Sequence, residues 1–169
     1  MLNDYLVTPI AASAGTQYNC AGFFGPTCSG STSGAGAPLY KWHHVWSFNW
    51  NTPWQPLSLY MDWRYMGSTT LEFLSTNPNL GRIGSTVANG KIPNTDVKIP
   101  AYNYIDFSGA YQVTDGIMFR LGVNNIMDKS PPIVGSTGLP GPPIGNGNTM
   151  PGTYDWGGRY VFGEISMQF

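Results

Sequence analysis

Charge is what this sequence lacks most. Its 169 residues include eight Lys plus Arg and nine Asp plus Glu, 10% of the chain. Soluble domains usually carry about a quarter. The two signs nearly cancel, leaving a formal net charge of −1 and no basic footprint for a nucleic acid. No apolar run approaches the roughly 18 residues that mark a membrane-spanning helix. The segment Met1 to Pro9 has no basic region, no apolar stretch and no small-residue cleavage site, so no signal peptide is read there. Cysteine is scarce as well. Cys20 and Cys28 are the only two, in a stretch rich in Gly, Ser and Pro. Their spacing allows a disulfide in an oxidising compartment or two free thiols. No His, Asp or Glu lies nearby to suggest a metal site, and the disulfide is the better reading.

Aromatic residues are plentiful, at 14%, with 22 glycines and 14 prolines. The aromatics argue against disorder. The glycines and prolines leave little room for a long helix. The length suits one domain or one piece of a larger one.

Period-two alternation is the strongest positive signal. In 41–51, Trp42, His44, Trp46, Phe48 and Trp50 share one face. In 57–66, Leu57, Leu59, Met61, Trp63 and Tyr65 do the same, with Ser58, Tyr60, Asp62 and Arg64 opposite. The run 103–113 sets Ile105, Phe107, Gly109, Tyr111 and Val113 against Asp106, Ser108, Ala110 and Gln112. It ends at Thr114-Asp115-Gly116, a tight-turn signal. The run 117–127 sets Ile117, Phe119, Leu121 and Val123 against Met118, Arg120, Gly122 and Asn124. The last, 159–169, sets Val161, Gly163, Ile165, Met167 and Phe169 against Tyr160, Phe162, Glu164 and Ser166. No apolar face carries a charge. Asp62, Arg64, Asp106, Arg120 and Glu164 all fall on the opposite faces.

The connections alternate too. Long loops, 9–40, 67–101 and 129–158, separate pairs of strands joined by short turns. Outer-membrane barrels have this order, with short periplasmic turns, long extracellular loops and strands alternating apolar outward and polar inward. A closed barrel is the only β solution in lipid, because every backbone polar group needs a partner. The expected fold is therefore all-β: an antiparallel transmembrane β-barrel segment of five to six strands. Asp62, Arg64, Asp106, Arg120 and Glu164 would face the lumen. Asp62 and Arg64, spaced i, i+2, form the first pair to test. Trp42, Trp50, Trp63, Tyr65 and Tyr111 lie near strand ends, where an interfacial girdle is expected.

Arg120-Leu121-Gly122-Val123-Asn124-Asn125-Ile126-Met127-Asp128-Lys129 resembles the penultimate strand of TonB-dependent outer-membrane receptors. The stretch Asn148 to Tyr160, with Gly152, Tyr154-Asp155, Gly158-Arg159 and Tyr160, is similar to that family's approach to its final strand. Trp63-Arg64-Tyr65-Met66-Gly67 resembles a recurrent strand end of the same family. Tyr18 to Cys28 looks like a loop of one proteobacterial subgroup. Phe169 is similar to the terminal signal read by the barrel-assembly machinery. The resemblance spans most of 18–169.

The family has a signal peptide, a TonB box, a plug domain and a barrel of about 22 strands. This sequence shows none of the first three, so the resemblance implies the C-terminal quarter or so of a receptor, with Met1 an internal or mis-called start or an artificial boundary. It further implies a Gram-negative outer-membrane location and active uptake of a scarce siderophore, vitamin or oligosaccharide. The implied partners are outer-membrane lipid, the ligand, the assembly machinery, and the TonB complex through the missing plug.

The chemistry-bearing residues fit a wall better than an enzyme. His43 and His44 would point to opposite faces of a strand and cannot easily chelate one metal. Asn124, Asn125 and Asp128 suit a backbone turn. Tyr154, Trp156 and Tyr160 are candidate outer-mouth aromatics, for ligand stacking or for rim packing. No catalytic, cofactor-binding or metal-ligating constellation is present, and no cofactor is expected. The competing reading is a secreted carbohydrate-binding β-sandwich, in which the same alternation would bury the apolar faces in a core.

Overall fold

A computed structural model describes residues 1–7, 17–25, 28, 38–53, 56–76, 80, 98–134, 149–150 and 152–168. The protein is all-β. The described residues form ten strands: β1 (Leu6–Val7), β2 (Tyr18–Asn19), β3 (Phe23–Phe24), β4 (His43–Asn51), β5 (Leu57–Met66), β6 (Thr69–Leu71), β7 (Lys98–Ile99), β8 (Tyr102–Thr114), β9 (Ile117–Asn124) and β10 (Tyr160–Met167). One 3-10 turn, Glu72–Leu74, is the only helix among the described residues. The chain divides into two compact units.

The sheet unit comprises 44–65, 103–130 and 157–169. Its five strands lie in the order β10-β9-β8-β5-β4. β9 pairs antiparallel with both β8 and β10. The register follows from alternation. Val123 meets Phe107 and Val161; Leu121 meets Gly109 and Gly163; Phe119 meets Tyr111 and Ile165. The apolar residues of three strands thus share one face. His44 stacks on Tyr65 at 5.2 Å and meets Trp63 edge-on at 4.8 Å, which carries the same face onto β5 and β4. The faces of the long strands therefore match the pattern in the sequence.

Turn chemistry sets the ends. Thr52 donates from its N–H and its hydroxyl to the Leu57 carbonyl, at 3.1 and 2.8 Å, closing the β4–β5 connection. Between β8 and β9 the register shifts at Gln112/Thr114, so Val113 is an extra, bulged residue. A Cβ on Gly116 would sit 2.7 Å from the Gln168 carbonyl oxygen, so the close approach needs glycine. β9 stops at Asn124, three residues short of the expected 127, because Asn125 turns to φ +52°. Among the described residues β4 and β10 are the edges, and the sheet does not close. Phe169 lies outside the described residues.

The loop unit comprises 1–43, 66–102 and 131–156. It draws on all three stretches read as outer loops. It holds the pair β1–β2 and a three-stranded sheet, β3-β6-β7, in which β3 and β6 run parallel. That parallel pair departs from the purely antiparallel expectation. Two-residue strands carry too little pattern to be seen in a sequence. Around them lies a true core. Tyr18, Cys20, Cys28 and Leu80 are buried together, with Phe23 and Leu39 against them. A disulfide joins Cys20 to Cys28, whose Cα atoms are 5.4 Å apart.

Candidate functional site: the charged face of the sheet

All five charged residues expected to share a face do so. Arg64 on β5 reaches Asp106 on β8 through Nε at 2.9 Å and Nη2 at 3.2 Å. Its guanidinium also lies 5.0 Å from the centre of the buried Tyr104 ring. Asp106 further accepts the Asn125 N–H at 2.7 Å. Arg64 thus pairs across strands with Asp106, while Asp62, on the same face, lines the pocket described below. Positions i and i+2 are about 6.6 Å apart along a strand, whereas neighbouring strands are about 4.8 Å apart. The forked guanidinium meets a cross-strand carboxylate in two-point geometry.

Arg120 on β9 is held from both sides. Its guanidinium lies 5.4 Å from the Tyr60 ring centre and 5.8 Å from that of Phe162. Nη2 donates to the Ser108 hydroxyl at 3.2 Å, while Nε is shut away from water without a partner among the described residues. The site therefore joins β5, β8, β9 and β10. Phe162 lies across Gly122, its register partner, where any Cβ would overlap the ring. That glycine lets the ring lie flat beside Arg120. Glu164 sits opposite Arg120 in the β9–β10 register. A pocket of about 170 Å³ opens here, lined in part by Tyr60, Asp62, Asp106, Ser108 and Arg120.

At one end of the sheet, Asn125 is a clamp. Fully buried, it donates from Nδ2 to the Lys129 carbonyl and accepts the Lys129 N–H, at 3.0 and 2.9 Å. Asp128, also at positive φ, accepts the Arg159 N–H at 3.0 Å. Asn125 and Asp128 thus shape backbone. Asn124 lines the pocket instead.

The opposite face is apolar and bare. Trp46 is 71% exposed and Leu121 70%, with Phe48, Trp50, Tyr111, Val161, Ile165 and Met167 also exposed on that face.

The three aromatics expected at an outer mouth separate. Trp156 and Tyr160 are exposed, and Tyr160 stacks on Phe162 with ring centres 6.4 Å apart. Tyr154 is only 1% exposed, so it packs and offers no stacking platform. Its hydroxyl hydrogen-bonds the Tyr40 hydroxyl at 2.9 Å, and Tyr102 meets its ring edge-on at 5.0 Å. Burial pushes its phenol up to about 12, against a smaller lowering by the Tyr40 hydrogen bond. Glu72 escaped the sequence reading altogether. It is fully buried in the loop unit and accepts the Cys28 N–H at 2.7 Å. A Cβ on Gly25 would come within 2.5 Å of its Cδ. An isolated glutamate in a loop gives no periodic signal of burial.

No protein-family model, curated protein or solved structure matches this chain.

Proposed function

We propose that this chain is a wall segment of an outer-membrane transport barrel, the C-terminal part of a TonB-dependent receptor. It would serve active uptake of a scarce siderophore, vitamin or oligosaccharide. The observation that carries the reading is the division of the five-stranded sheet. One face is apolar, uncharged and exposed; the other gathers Asp62, Arg64, Asp106, Arg120 and Glu164. In lipid, an Arg or Lys on the outward face near the midplane would cost about 2–4 kcal/mol, so a bare, charge-free face suits that solvent. In water, a contiguous apolar patch of this kind marks a surface meant to be covered. The alternating short and long connections and the family-like motifs support the same reading.

In this account the segment supplies barrel wall and outer loops, and the energy-coupling contact lies in a plug elsewhere. Among the described residues β4 and β10 have no strand neighbour on their outer sides, and a sheet with two edges does not seal a wall in lipid. Five strands alone therefore do not transport. Ligand uptake by the purified 169-residue chain in bilayers would contradict that part.

The test of the class is fractionation in a Gram-negative host. The expected result is recovery with the outer membrane and release only by detergent. A monomer soluble without detergent would overturn the reading in favour of a β-sandwich module, in which a second sheet covers the apolar face.

A further inference from the structure

We infer that the pocket between Asp62 and Arg120 binds a small, uncharged, hydroxylated ring of the sugar or polyol class. The inference rests on the wall reading, in which this face turns to water, and gives that wall a ligand chemistry. The groups already spent are clear. Asp106 is engaged by Arg64 and the Asn125 N–H, and Ser108 by Arg120. Two opposite groups remain. Arg120 keeps a desolvated Nε–H that lacks an acceptor among the described residues. Asp62 lines the same pocket and forms no hydrogen bond or ion pair among the described residues.

A lone anion would meet the Asp62 carboxylate, and a lone cation would meet Arg120. A hydroxyl suits both, because it accepts from Nε–H and donates to a carboxylate. The remaining polar lining, Ser47, Asn49 and Asn124, both donates and accepts, as a ring of hydroxyls does. An uncharged ligand also escapes the cost of burying an ion. The pocket's 170 Å³ corresponds to about six waters, enough room for one ring.

Saturation-transfer NMR on the full chain in a sugar-free amine-oxide detergent tests this, with D-glucose as probe and acetate and glycine as competitors. The expected result is saturable transfer to the glucose ring protons, indifferent to either competitor. Affinity should fall about tenfold in Asp62→Ala and in Arg120→Lys, which keeps the charge but moves the donor. Asn124→Ala, away from the Arg120 contacts, should fall less and serves if Arg120→Lys disturbs the sheet. No transfer, displacement by glycine or acetate, or equal binding in Asp62→Ala and Asn124→Ala would overturn the site. A chain found in the outer membrane that ignores glucose removes this inference alone. A soluble chain that binds glucose through Asp62 removes the wall reading alone.

Discussion

The two units spend their aromatic residues in opposite ways. In the loop unit, Tyr18, Phe24, Tyr40, Tyr102 and Tyr154 are buried, Tyr18 beside the disulfide and Tyr40, Tyr102 and Tyr154 against one another. In the sheet unit, Trp46, Phe48, Trp50, Phe107, Tyr111 and Phe119 stand exposed on one face. The first arrangement is how a water-soluble domain hides apolar surface. The second leaves its apolar surface uncovered, a surface that the proposed reading places against lipid. The contrast shows that low charge has two causes within one chain. In the sheet, charge is absent from a face. In the loop unit, an ordinary core displaces it.

The largest expected effect tests the sheet's apolar face. Leu121→Arg, at its centre, should cost about 2–4 kcal/mol in a membrane and abolish outer-membrane assembly, read by fractionation. Ser166→Arg on the charged face should assemble normally. Equal behaviour of the two would erase the distinction between the faces.

Next comes the loop unit's staple. Replacing Cys20 and Cys28 with Ser should destabilise that unit by about 2–3 kcal/mol, as expected for a short closed loop. Hydrogen exchange should then quicken at Phe24 and Leu71 while β8–β9 amides keep their protection. Loss of protection in both units would mean they fold as one.

Gly122→Ala should cost about 1–3 kcal/mol by overpacking. The added methyl displaces Phe162 and frees one side of Arg120, visible as a shift of the Arg120 side-chain NMR signals. The smallest effect is Tyr154→Phe, about 1 kcal/mol for one buried hydroxyl pair. It carries a pH signature. With a folded value near 12 against an ordinary 10, the unfolded chain loses its proton first as pH rises. Loop-unit stability is therefore full below pH 10 and declines between 10 and 12. Tyr154→Phe should remove its share of that decline in alkaline unfolding curves.

Much of the sheet was legible because strand period is local information. Alternation in 57–66, 103–113 and 117–127 assigned Arg64, Asp106 and Arg120 to one face without any knowledge of pairing. Which carboxylate Arg64 would choose was not legible, since Asp62 and Asp106 differ only in cross-strand register. The loop unit was read as loops because its strands span two or three residues and its contacts join distant segments. Glu72 reaches Cys28 across 44 positions, and Tyr40 reaches Tyr154 across 114. Nothing in the neighbourhood of Tyr154 distinguishes a core tyrosine from one at a rim.

The central claim is that the tryptophan-bearing face of the sheet lies against hydrocarbon. Quenching of intrinsic tryptophan fluorescence tests it most directly, in micelles of a detergent with brominated alkyl chains and against the water-soluble quencher acrylamide. Trp46, Trp50 and Trp63 should be quenched strongly by the brominated chains and weakly by acrylamide. Emission untouched by bromine and quenched freely by acrylamide would contradict the account.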